Sequence, residues 1–156
     1  MRNLLIISLM MLCMSCDDAR VFEQYHDFDE EQWKMAEKPK FDFVIDDPSM
    51  RYNVYSNVRN SVSYPWSRFF MNYTLQDSTG AVLKQNLLNE FLFHAKSGEP
   101  FGNSGLGDIF DHQFLLLKDF QFPYKGKFTV EYQHYMRTDS LEGILAVGLR
   151  VERATK

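Results

Sequence analysis

Apolar side chains recur at every second position through most of this chain, the spacing of strands that set one face on a core and the other in water. Phe41, Phe43 and Ile45 alternate with Asp42 and Val44, and the turn residues Asp46, Asp47, Pro48 and Ser49 follow. Tyr52, Val54, Ser56 and Val58 alternate with Asn53, Tyr55, Asn57 and Arg59. Phe69, Met71, Tyr73 and Leu75 repeat the pattern and run into the turn Asp77-Ser78-Thr79-Gly80. Further along, Phe128, Val130, Tyr132, His134 and Met136 share one face, and Val147, Leu149 and Val151 lie opposite Gly148, Arg150 and Glu152. Residues 21–25 can begin a first strand, residues 81–96 fit either period and are read as strand, and residues 114–122 read as a buried strand. A hairpin-like turn, Pro123-Tyr124-Lys125-Gly126, leads from that strand into the next. The one helical signal is at Asp29, a cap with Gln32 three places on and acids in the first turn. It allows a turn or two before Pro39, with Trp33 packing the segment on a sheet. The predicted fold is all-β: a single β-sandwich of immunoglobulin-like or jelly-roll type, with roughly seven to nine short strands and a short N-terminal helical turn.

The 156 residues have room for one domain, and an apolar content of 45% with 14 Phe and 8 Tyr is that of a folded chain with an aromatic core. The net charge of −4 and the lack of any Lys/Arg cluster argue against a nucleic-acid partner. Both cysteines, Cys13 and Cys16, precede residue 17, so the body of the protein has neither a disulfide framework nor a thiol nucleophile. Arg2, the apolar run 4–12 and the small Ser15 before Cys16 read as a secretory signal, the run being too short to span a bilayer. A small residue directly before cysteine resembles the lipobox cut by bacterial signal peptidase II, with Cys13 standing where Leu is usual. The expected organisation is a signal peptide over residues 1–15, a tether over 16–20 with lipidated Cys16, and a sandwich domain over 21–156. The membrane is then a partner through the lipid alone. Asp17 and Asp18 resemble the export signal of surface lipoproteins, although two acids in a solvated tether read equally well.

Candidate chemistry is sparse. His26, His94, His112 and His134 lack zinc-site spacing, and His134 falls on an apolar stripe as a hydrogen-bonded core histidine would. His112 beside Asp108 and Asp111 is the one cluster with ligands for calcium. Glu99, Asp108, Glu131 and Asp139 are free to act as paired carboxylates, but nothing in the sequence singles them out. The glycine-rich stretch 97–108 lacks the order of a nucleotide loop, and no nucleophile elbow occurs, so neither enzyme activity, cofactor nor metal is expected. Tyr64-Pro65-Trp66, with Arg59 and Arg68 on either side, offers flat rings that stack on sugars or anchor a protein partner; alternatively, Trp66 plugs an end of the sandwich. The candidate contact residues are Arg59, Tyr64, Trp66, Phe101, Arg137 and Asp139, the three charged ones also being candidates for a buried salt bridge.

Several motifs together resemble the gliding-motility lipoprotein GldH family of Bacteroidetes. They are Trp33 ahead of Phe41-x-Phe43, Arg59-Asn60 before Tyr64-Pro65, the glycines 98, 102, 105 and 107 ending in Asp108-Ile109, and Phe122-Pro123-x-x-Gly126. The densest is Met136-Arg137-x-Asp139-x-Leu141-x-Gly143-Ile144-x-x-Val147-Gly148-Leu149-Arg150. Phe101 stands where Trp is expected, and Trp66-Ser67-Arg68 departs from the usual polar-aromatic variant. The resemblance implies a lipid-anchored cell-envelope protein needed for gliding, which works with motility or type IX secretion proteins, and it transfers no catalytic residue; with Asp17 and Asp18 the expected location is the outer membrane. The rival reading is a carbohydrate-binding module in which Tyr64, Trp66 and Phe101 stack on glycan, and a third is a hydrolase.

Overall fold

A computed structural model describes residues 18–155, so the signal segment and Cys16 lie outside the described residues. Each alternating run becomes a strand: β1 (Arg20–Asp27), β3 (Lys40–Ile45), β4 (Tyr52–Ser61), β5 (Arg68–Asp77), β9 (Gly126–His134) and β11 (Ile144–Arg153). The ambiguous run becomes β6 (Val82–Phe91), and three short strands, β2 (Gln32–Lys34), β7 (Asn103–Ser104) and β10 (Ser140–Glu142), join the set. β8 (Ile109–Phe120) begins earlier than the apolar run suggests and is half-buried, because its outer face is in water.

Two antiparallel sheets face each other in the orders β1-β11-β4-β8-β7 and β3-β9-β5-β6, with β10-β2 as a small separate pair. The core is the set of inward side chains that the period predicts, including Phe41, Phe69, Met71, Phe128, Val147 and Leu149. Burying each large side chain contributes about 1.5–3 kcal/mol, which makes this layer the main stabilising term. The sheets are also joined by hydrogen bonds: the Tyr132 hydroxyl donates to the Gly148 carbonyl at 3.2 Å and the Tyr73 hydroxyl to the Leu116 carbonyl at 3.1 Å.

Two local expectations change. The capping pattern at Asp29 opens only a three-residue 3-10 segment, Asp29–Glu31, with Glu30 and Glu31 at φ of 54° and 55°, and Trp33 lies on β2. Burial decides this: Trp33 is fully buried against Phe28, its indole N–H donates to the Glu37 carbonyl at 2.8 Å, and β2 is paired to β10. The turn at Pro123 is not a hairpin, since β8 and β9 belong to different sheets. The chain crosses between layers there, and Phe122 fills the crossing with its ring 4.7 Å from Phe128 and 5.5 Å from Tyr52.

Candidate functional site

The outer face of the four-stranded sheet carries an apolar groove of about 440 Å³, lined by Trp66, Phe70, Leu87, Tyr135, Met136 and Arg137. Phe70 and Leu87 are on the face of β5 and β6 opposite the buried Phe69, Met71 and Leu88. Tyr135 follows β9 and is tied to the sheet by its N–H, which donates to the Phe70 carbonyl at 2.8 Å. Trp66 is 42% exposed and Tyr135 61% exposed, large rings that a soluble surface rarely leaves in water without a use. Trp66 also forms a ridge beside a second hollow, of about 260 Å³, that includes Pro65, Phe93 and His94.

Tyr64 is where the structure departs most from the expected aromatic platform. It is only 4% exposed, and its ring meets Trp66 edge-on at 5.7 Å from beneath. Its hydroxyl donates to the Arg68 carbonyl at 2.8 Å and lies 3.9 Å from the Met136 sulfur; burial pushes its pKa up. Tyr64 therefore holds the groove from below and is not available as a contact ring. Gly143 packs directly against the Tyr64 backbone, its carbonyl accepting from Ser61 N–H at 2.9 Å and its N–H donating to the Glu31 carbonyl at 2.9 Å.

Phe101 is exposed and stacks on His94 at 3.7 Å, with Phe91 at 6.4 Å. The Arg68 guanidinium lies 4.7 Å from the Phe91 ring centre and 5.5 Å from that of Phe70, so a stripe of rings runs from the groove to Phe101 with a cation across it. Neither Arg68 nor Arg137 has an ion-pair partner among the described residues. Asp139 is exposed in a separate shallow hollow beside Lys34 and Met35, where its carbonyl accepts from Met35 N–H at 2.8 Å. Arg59 is on the opposite sheet, paired with Asp111 at 2.8 Å and half-exposed. Of the six residues nominated from sequence, then, Trp66 and Arg137 meet in the groove and Phe101 extends it. Phe70, Leu87, Tyr135 and Met136 escaped notice; the available signal was an aromatic on the polar side of an alternating strand, as at Phe70 and Tyr135.

The suspected calcium cluster does not converge. Asp111 and His112 are neighbours in a strand and point to opposite faces, Asp111 to Arg59 and His112 into the interior. Among the described residues no three His, Cys, Asp or Glu side chains group as metal ligands. Burial lowers the His112 pKa to about 4, and Gly102 packs so closely on its ring that a Cβ there would stand 2.7 Å from it.

These features define an all-β sandwich with a ring-lined groove on one outer sheet face and an ion-paired opposite face. The chain belongs to the GldH lipoprotein family, whose model matches residues 20–151. It is 29% identical to the gliding motility lipoprotein GldH of Flavobacterium johnsoniae over 150 residues, covering 92% of this chain and 91% of that protein. It is 28% identical to a GldH homolog of Christiangramia forsetii, covering 96% of this chain and 94% of the relative. Among solved structures, a carbohydrate-binding module specific for non-crystalline cellulose is similar with a TM-score of 0.44 and 12% identity, covering 84% of this chain and 72% of that one. So loose a likeness says nothing about a ligand.

Proposed function

We propose that this protein is a lipid-anchored, non-enzymatic component of the cell envelope that supports gliding motility and the associated type IX secretion machinery by docking an envelope protein at the Trp66 groove. Cys16, acylated after removal of residues 1–15, is the anchor, and residues 16–20 tether the sandwich of residues 21–156. The acids Asp17 and Asp18 favour the outer membrane. Family membership and the names of the two relatives support the motility reading.

The docking reading rests on one observation: an apolar, ring-lined groove flanked by two guanidinium groups, Arg68 and Arg137, without carboxylate partners among the described residues. Covering such a charge with apolar surface alone is unfavourable, so the occupant supplies a carboxylate beside its aliphatic or aromatic anchor. That is the chemistry of an acidic, partly apolar protein segment more than of a neutral sugar. Fatty-acid labelling should mark the wild type and miss Cys16→Ala. A photo-cross-linker placed at Tyr135 in living cells should capture an envelope protein, and Arg137→Glu should reduce that capture at least tenfold without changing lipidation or thermal stability. Glycan-array binding that disappears in Trp66→Ala, with no protein adduct at Tyr135, would replace the protein partner with a carbohydrate.

A further inference from the structure

β6 is an edge strand of the four-stranded sheet, paired on one side only, to β5. Edge strands are usually protected by shortness, proline or a bulge, since their free N–H and C=O groups pair readily with another chain. Here the irregularity falls at Leu83, before the run 84–90, and that run contains no proline. Six of its seven residues are exposed, and only Leu88 turns into the core.

The direction of the free groups follows from the pairing. Leu92 N–H donates to the Ser67 carbonyl at 2.9 Å, so even-numbered residues of β6 bond toward β5 and odd-numbered ones face outward. Leu87 agrees: its N–H turns away from β5 and donates to the Asn86 side chain next to it, at 2.9 Å, a local bond that a second strand replaces. A second strand must therefore set its own outward residues against 85, 87 and 89.

We infer that β6 pairs antiparallel with β6 of a second copy of this chain, in the register that sets Leu87 against Leu87. In that register Gln85 of one copy faces Asn89 of the other, and Lys84 faces Glu90, each pair occurring twice about the two-fold axis. Lys84 and Glu90 have no ion-pair partner among the described residues of one chain, and the second copy supplies both. Outward backbone groups meet outward groups throughout, and the two four-stranded sheets become one continuous sheet. The axis runs normal to that sheet, so both β1 strands, in the other layer, stay on one side of the dimer and both Trp66 grooves stay on the other. Two chains attached to one membrane by their first residues can adopt this arrangement. Leu87 also lines the groove, so the two grooves adjoin at the axis, but the pairing is made by the β6 backbone and by Lys84 and Glu90, neither of which lines the groove.

The test is oxidative cross-linking of the full chain in native membranes. Facing residues of a hydrogen-bonded antiparallel pair have Cα atoms about 5.5 Å apart, within disulfide range. Leu87→Cys should give a disulfide dimer, at least fivefold more than wild type or Val44→Cys, which is 51% exposed on β3 at the other edge of the sheet. Adding Lys84→Glu sets like charges opposite each other and should remove most of the dimer, and adding Glu90→Lys to that variant should restore it. Cross-linking of Leu87→Cys no greater than that of Val44→Cys would overturn the inference. A dimer indifferent to the Lys84→Glu reversal would overturn the register and with it the claim.

Discussion

At Gly143 two separate constraints exclude a side chain. Its φ of +77° lies in the left-handed region, and an added Cβ would fall 2.4 Å from the Tyr64 nitrogen. Gly80 has a similar φ of +85° with nothing within 4 Å, so it isolates the backbone part of the effect. Gly80→Ala should therefore lower stability by about 1 kcal/mol, the strain of one left-handed residue. Gly143→Ala should lower it by at least about 3 kcal/mol, since backbone atoms cannot yield as a flexible side chain does. Urea midpoints of the two variants check this, and equal effects would mean that the contact with Tyr64 is not what Gly143 serves. The sequence showed Gly143 only as part of a motif, because its neighbour in space is 79 positions away in the chain. His134 was legible as a core residue and is 1% exposed, but both ring nitrogens lack hydrogen-bond partners among the described residues. It meets Trp33 edge-on at 5.4 Å instead, a contact that no strand pattern announces.

Within the five-stranded sheet, the water-facing side is a polar lattice across β1, β11, β4 and β8. Asn57 is nearly buried in it, donating to Glu23 at 3.2 Å and accepting from Gln113 at 3.0 Å, while Arg150 donates to Glu23 at 2.9 Å. Asn57→Ala removes one hydrogen-bond partner of Glu23 on β1 and one of Gln113 on β8, and should lower stability by about 1–2 kcal/mol. Arg59→Ala removes a pair whose side chains are 40% and 42% exposed, so it should lower stability by less than about 1 kcal/mol. Denaturant unfolding of both variants distinguishes the two, and the reverse order would show that the lattice is held by the surface charges. Strands with one face in the core, such as β3 and β5, were legible because burial imposes the two-residue period. β2 and β10, of three residues each, were not: they exist because Trp33 and Leu141 are both fully buried, a tertiary demand. β6 was ambiguous for the opposite reason, as an edge strand with few buried side chains shows little period. β8 lost its period where its register against β4 shifts between Val54 and Tyr55, placing Leu115, Leu116 and Leu117 in one run.

For the molecule as a whole, the buried histidines set a pH dependence. Burial holds His112 at about 4, below its ordinary 6.5, and lowers His134 as well. Below pH 6.5 the unfolded chain takes up protons that the folded chain refuses, so the His112 contribution to stability is full above that value, falls toward pH 4 and then levels off. Unfolding at pH 7 and pH 4.5 should differ by on the order of 2–3 kcal/mol, and His112→Leu should remove much of the difference. A flat profile across that window would contradict the buried, neutral imidazoles. Asp42, Asp47 and Asp77, held low by hydrogen bonds from Thr129, Ser49 and Thr79, act only below their ordinary 3.8 and leave this window clear. One consequence of the topology is mechanical. β1 is an outermost strand, and whatever holds the chain ahead of residue 18 pulls on it directly. A pull along the strand shears all its pairings with β11 at once, from Arg20 against Glu152 to Asp27 against Ala146. A pull across the strand peels them one at a time, so the same sandwich resists drag strongly in one direction and gives way in another.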